Sequence, residues 1–199
     1  MIVYLDGENV VHQLVDALRA LKKVDGRDDI QGLDLRSFLM RLLKADELTI
    51  RYYTTSLRLV KTDPILEQRS REMMAWSEAW NNSLALQDIE IVKAGRLKVR
   101  EIDPCPRCGY KEFTFREKGV DVRLAVDLLV DSATDKNLVV WSSDADLVPA
   151  IQVAKRSGVR VKNITHVDAI NWAVAKQCGE WQTYTDKELI KLFKTKVTS

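Results

Sequence analysis

This 199-residue chain predicts an α/β fold with a mainly parallel sheet. Three observations lead there. Short apolar runs alternate with segments of helical periodicity along the whole chain. Two of those runs, Ile2-Val3-Tyr4-Leu5 and Leu138-Val139-Val140-Trp141, are continuous enough to be strands buried on both faces. Each is followed directly by aspartate or a short turn into helix, Asp6 after the first and Asp144 after the second. In open parallel sheets, sites form at the carboxyl ends of strands.

The elements follow in order. After the first strand, Asp6-Gly7-Glu8-Asn9 turns into a helix with Val11, Leu14, Val15, Leu18 and Leu21 at helical spacing. Residues 24–32 are polar, with two glycines and three aspartates, and read as a loop. A second helix covers 33–45, with Leu35, Phe38, Leu39 and Leu42 on one side. Residues 47–54 alternate as a strand. Asp63 as N-cap and Pro64 at the first helical position open a long helix to about Asn81, carrying Trp76 and Trp80 at i, i+4. Residues 89–99 read as one or two strands around Gly95, and 103–115 as an interruption. Helix 120–129, strand 138–141, helix 146–156, strand 159–164, helix 168–178 and helix 187–193 complete the chain. One domain over 1–199 is expected, with a small insertion at 101–117.

Composition narrows the class. Hydrophobic residues make up 46% and charged residues 30%, as in a globular domain, and the length suffices for one sizeable core. A formal net charge of +2 excludes a grossly basic nucleic-acid binder but allows a basic groove beside an acidic site. No apolar run approaches the roughly 20 residues that span a bilayer. The start, MIVYLDGENV, has no basic stretch or cleavage site, so no signal peptide is expected. Two of three cysteines form a CxxC knuckle, which fits a reducing cytoplasm better than a disulfide framework.

Four carboxylates carry the chemistry. Asp6 follows the first strand, Asp121 sits in the first turn of a helix, and Asp144 and Asp146 follow the strand at 138–141. Asn9 adds an amide oxygen. Hard cations such as Mg²⁺ and Mn²⁺ prefer oxygen ligands of this kind. One ion, or two about 4 Å apart, activates water and steadies a phosphate in in-line attack. Each acid also has a plain structural reading. Asp144 caps the helix that follows it, Asp121 complements its own helix dipole, and Asp127 pairs with Arg123 at i−4.

Together, Tyr4-Leu5-Asp6-Gly7-Glu8-Asn9, then Glu117-Lys118-Gly119-Val120-Asp121 running on to Leu129, then Ser142-Ser143-Asp144-Ala145-Asp146-Leu147-Val148-Pro149 resemble the NYN family, the LabA-like branch of the PIN-like nucleases. The motifs stand in the family's order and cover about residues 1–165. The chain departs from the usual pattern at Ser143, where a glycine is common, and at Leu147, where an aromatic is. The resemblance implies a Rossmann-like, three-layer PIN-like domain and an acidic Mg²⁺ or Mn²⁺ site. It also implies ribonuclease activity, endonucleolytic in this reading, on single-stranded or structured RNA. Asp6, Asp121 and Asp144 would hold the metal. Asp146 would bind it through water or orient the nucleophile. Asn9, Lys118, Ser142 and Ser143 would face the substrate.

Cys105-Pro106-Arg107-Cys108-Gly109 has the form of half a zinc ribbon. Structural zinc needs four ligands. Cys178, His12 and His166 lack motif spacing, and a second chain would supply another pair in a homodimer. Basic residues between the acidic motifs, from Arg51 to Lys118, would attract phosphates, and Tyr52 and Tyr53 would stack on bases; the plain reading makes most of these charges a solvated surface and one of the two tyrosines core. Trp76 and Trp80 read as helix packing. Two other classes stay open: an RNA-binding regulator that retains a structural ion site, and a Toprim-like or dehalogenase-like phosphotransferase, to which Glu8 is a poor fit.

Overall fold

The computed structural model describes residues 1–102, 106–108 and 112–193. Six strands form one sheet in the order β3-β2-β1-β6-β7-β8, every pairing parallel. They are β1 (Ile2–Asp6), β2 (Thr49–Thr55), β3 (Glu90–Ala94), β6 (Asn137–Trp141), β7 (Arg160–His166) and β8 (Gly179–Tyr184). Helices α1 (Gly7–Ala20), α2 (Leu35–Leu43), α3 (Pro64–Ala85), α4 (Val120–Asp131), α5 (Val148–Arg156), α6 (Trp172–Cys178) and α7 (Asp186–Phe193) connect them or follow them.

The central strands are apolar without interruption because each face meets helices. Successive side chains of a strand point to opposite faces. Val3, Leu5, Val139 and Trp141 therefore join one core, with Leu14 and Leu18 of α1, Leu39 of α2, Trp80 of α3 and Leu189 of α7. Ile2, Tyr4, Leu138 and Val140 join the other, with Leu124 and Leu128 of α4, Ile151 of α5 and Val174 of α6. The result is a three-layer α/β domain. Among the described residues no helix is long and apolar enough to cross a membrane.

The long third helix starts as its sequence signals dictate: Asp63 accepts bonds from the Ile65 and Leu66 amides at 2.8 and 3.2 Å, and Pro64 needs no such partner. It continues to Ala85, four residues past the expected end. The expected helix at 168–178 begins only at Trp172, capped by Asn171, while Val167–Ala169 form a single 3-10 turn. A like turn at Ala145–Leu147 precedes α5. Strand β8 was not expected. Its sequence, GEWQTY, has three exposed residues in a row, because it is the edge strand beyond β7.

Residues 89–102 are two strands of different sheets. β3 belongs to the main sheet, whereas β4 (Arg96–Ile102) pairs with β5 (Glu112–Lys118) in an antiparallel ribbon of its own. Gly95 and Gly119, both at positive φ, pinch its base, and a Cβ on Gly95 would stand 2.1 Å from the Lys118 carbonyl oxygen. The knuckle lies between these strands. Cys108 is exposed, but Cys105 and Gly109 lie outside the described residues, as does any zinc site or dimer contact built on them. Cys178 is a core residue packed with α5, its thiol pushed up to about 12 by burial. His166 is buried with Nε2 on Asp186 at 2.9 Å. Neither is free to complete a zinc site.

Candidate active site at the centre of the sheet

Strand β1 lies between β2 and β6, so its carboxyl end is the middle of the rim. Asp6 is the last residue of β1, and α1 starts at the next residue. That abrupt turn depends on Gly7. A Cβ there would meet the Tyr53 carbonyl oxygen at 2.4 Å and the Tyr52 ring at 2.9 Å. The backbone oxygen cannot yield, so Gly7→Ala should push α1 off the sheet. A lowered Tm of the purified variant is the expected readout, with a cost of about 1–3 kcal/mol typical of overpacking.

The Asp6 carboxylate accepts bonds from Asn9 Nδ2 and from Ser142 Oγ, both at 2.7 Å. Ser142 is fully buried, and its Oγ also accepts the Asp144 amide at 3.0 Å. Its carbonyl is held by Asn163 Nδ2 at 2.9 Å. Asn9 Oδ1 accepts the Ser143 amide at 3.2 Å. Ser143 Oγ donates to the Ala169 carbonyl at 2.9 Å and accepts from Gln13 at 3.2 Å. These bonds lock the β1–α1 turn to the β6–α5 turn. Ser142, expected to face substrate, is instead closed to it and bridges Asp6 and the Asp144 amide. Ser143 is half-buried, with its hydroxyl held by Ala169 and Gln13.

Burial raises the Asp6 pKa, the bonds from Ser142 and Asn9 oppose the shift, and the charge of Asp144 adds to it. Asp144 is half-buried and caps the turn after β6, its carboxylate accepting the Asp146 amide at 2.9 Å. Asp146 is exposed. Asp121 is half-buried in the first turn of α4. Asp127, as its spacing suggested, pairs with Arg123, both carboxylate oxygens at 2.9 Å, and also accepts the Tyr53 hydroxyl. Among the described residues no lysine or arginine pairs with Asp6, Asp121, Asp144 or Asp146.

In donor chemistry this set suits a hard divalent cation: oxygen atoms, two of them on the half-buried carboxylate of Asp6, which has no basic partner among the described residues. In placement it is open, for among the described residues no three acidic, histidine or cysteine side chains stand close enough to enclose an ion. Lys118 is exposed at the base of the ribbon. Tyr52 and Tyr53 are 3% and 0% exposed, so neither offers a free ring face to a base. Tyr53 packs on Tyr4, and Tyr52 edge-on to Trp80.

Sequence reasoning passed over Glu117, which ends up beside the centre. Its carboxyl is pushed up to about 7 by burial, then by the charges of Glu8 and Asp6, with Arg27 opposing. The raised value has a stability consequence. The contribution is complete below the ordinary value of 4.5 and is lost as pH rises through about 7. Glu117→Gln removes the buried charge. In EDTA the variant should therefore unfold at a higher Tm than wild type at pH 8, and the gap should shrink by pH 5. A gap that does not change with pH would refute the assignment.

The family model described as the NYN domain matches residues 1–184. No curated protein matches the sequence. Among solved structures, one of a protein of unknown function from Vibrio parahaemolyticus is similar, at 11% identity and a TM-score of 0.47. The match covers 93% of this chain and 92% of that one.

Proposed function

The chain belongs to the NYN domain family, whose members are in general PIN-like nucleases, and on that premise we propose a cytoplasmic, divalent-metal-dependent endoribonuclease that hydrolyses RNA phosphodiester bonds. The observation that supports this most is Asp6: a half-buried carboxylate at the central strand end, its pKa raised by burial and by Asp144, with no basic partner among the described residues. Its two hydrogen bonds, from Asn9 and Ser142, offset part of the cost of the charge, and a cation would offset the rest. In this reading Asp6, Asp121 and Asp144 are the ligands. Asp146, exposed and adjacent, would bind the ion through water or orient the nucleophile. Asn9 fixes the rotamer of Asp6 through its amide. Lys118 holds a flanking phosphate. Mg²⁺ or Mn²⁺, when bound, supplies the charge that generates the nucleophile and offsets the phosphate.

The spread of the acidic groups favours one other reading, an RNA-binding protein without turnover. A panel of end-labelled RNA and DNA oligonucleotides, incubated with Mn²⁺, Mg²⁺ or EDTA, separates the two. Cutting of RNA that EDTA abolishes is the expected result. Retention of RNA without cutting, by folded protein under every metal condition, would replace the nuclease reading with the binding one.

A further inference from the structure

Beside the acidic centre lies a cavity of about 510 Å³, within the roughly 300–1,000 Å³ typical of small-molecule sites. Its floor is β2, one wall is α3, and the other is the β4–β5 ribbon. Glu8 and Gly7 line its inner end, immediately after Asp6. The walls are largely apolar, with Trp76 and Met73 on α3 and Leu97 and Phe115 on the ribbon.

Two of its lining side chains carry buried polar atoms with no hydrogen-bond partner, Thr55 Oγ1 and Trp76 Nε1. Thr55 is 3% exposed. Such atoms cost about 1–3 kcal/mol each when left unmade; both are closed off from the cavity as it stands, so an occupant supplies the missing bonds only as these side chains turn toward it. Glu117 is half-buried in the same wall, and among the described residues no donor bonds its carboxylate. Arg27 closes the mouth, its guanidinium 5.6 Å from the centre of the Trp76 ring and 3.3 Å from Glu8 Oε1. Those are exposed contacts, worth little, so the arginine is free to turn.

The charges decide the class of occupant. Among the described residues, Glu8, Asp28, Glu72 and Glu117 line the cavity against Arg27 alone, so a phosphate is repelled. An uncharged planar group fits the slot between apolar walls. Its edge must donate to a carboxylate. Guanine is the RNA base with two adjacent N–H donors, N1 and N2, matched to the two oxygens of a carboxylate. Its other edge offers O6 and N7, the pair that arginine bonds bidentately. Adenine and cytosine set a ring-nitrogen acceptor beside their amino group, and uracil flanks its single N–H with two carbonyls.

We propose that this cavity is a guanine-binding subsite that seats a base of the RNA next to the cleavage centre, with Glu117 on the N1–N2 edge, Arg27 on the O6–N7 edge, and Thr55 and Trp76 making the remaining bonds. The identity of RNA as the source rests on the nuclease reading; the recognition of guanine does not.

The test is calorimetric titration of the whole protein with guanosine, adenosine, cytidine and uridine at pH 8 in EDTA, so that Glu117 is ionised, no phosphate is repelled and no turnover intervenes. Guanosine should bind, with the other three at least about tenfold weaker, since a site that bonds a polar edge rejects bases lacking it. Glu117→Gln and Thr55→Val should each weaken guanosine by about tenfold. The first replaces a carboxylate oxygen by an amide and the second removes a hydroxyl, neither adds bulk, and their Tm values report that they fold. Absence of guanosine binding by folded wild type, equal affinity for all four, or unchanged guanosine affinity in both variants would overturn the subsite. Cleavage mapping on RNA separates the two ideas. Guanosine selectivity in a protein that cuts nothing retains the subsite and rejects the nuclease. Cutting with no guanine preference and no guanosine binding rejects the subsite alone.

Discussion

Asp144→Asn should lower metal-dependent RNA cleavage to the level seen in EDTA and leave the fold as it is. The two halves of that statement have different causes. The fold survives because what Asp144 does structurally does not need charge. Its side-chain oxygen accepts the Asp146 amide, and an asparagine carbonyl does the same. Its own amide still donates to Ser142. Activity is lost because the second negative charge beside Asp6 disappears, and with it one oxygen ligand for a hard cation. The carboxylate of Asp6, relieved of its neighbour, should titrate closer to its ordinary value. Asp144→Ala is the informative contrast. It loses the cap as well, at about 0.5–2 kcal/mol, and should be inactive and less stable. Full activity in the asparagine variant, with a normal Tm, would remove Asp144 from the catalytic set.

Gln13→Leu should be among the most destabilising single changes in the protein. Gln13 is a buried polar residue on the otherwise apolar face of α1. Its Oε1 accepts three bonds, from Trp141 Nε1 at 3.1 Å, the His166 amide at 3.0 Å and the Tyr184 hydroxyl at 3.0 Å. Its Nε2 donates to Ser143 Oγ. One amide thus ties α1 to β6, β7, β8 and the turn that carries Asp144. Leucine has the size and the apolarity, but it strands three buried donors. At about 1–3 kcal/mol for each, the loss should exceed roughly 3 kcal/mol in urea unfolding. Gln13→Glu retains the acceptor and should lose less. A leucine variant within about 1 kcal/mol of wild type would show that these donors find other partners or water.

The residues themselves explain how much of this was legible. The two central strands and both rim aspartates were readable because continuous apolar runs buried on both faces look like little else, and because a helix must follow at once. Asp63-Pro64 announced α3 through chemistry local to those two residues. What escaped was whatever depends on the partner. Strand β8 has no apolar run because an edge strand is covered on fewer sides. Of Tyr52 and Tyr53 one read as core and the other as a stacker on bases, yet β2 lies inside the sheet, so adjacent tyrosines bury in opposite cores. Ser142 read as a substrate contact because serine is polar, whereas its hydroxyl is a strut between Asp6 and the Asp144 amide. Gln13 was hidden among leucines and valines. Glu117 required the pairing of Leu97 with Glu117 across the ribbon, a register that no local pattern encodes.

The strand order also governs when the centre comes into existence. Asp6 is made among the first residues, but its hydrogen-bond donor Ser142 comes 136 positions later. Strand β1 has one flank on β2 and the other on β6. At a synthesis rate of roughly 5–20 residues per second, the ribosome separates the two halves by on the order of ten seconds. During that interval the growing chain carries Asp6 and its turn without the loop that orients them. A topology dominated by such distant pairings also folds slowly. A centre of this design stays unassembled on the ribosome until most of the chain has emerged.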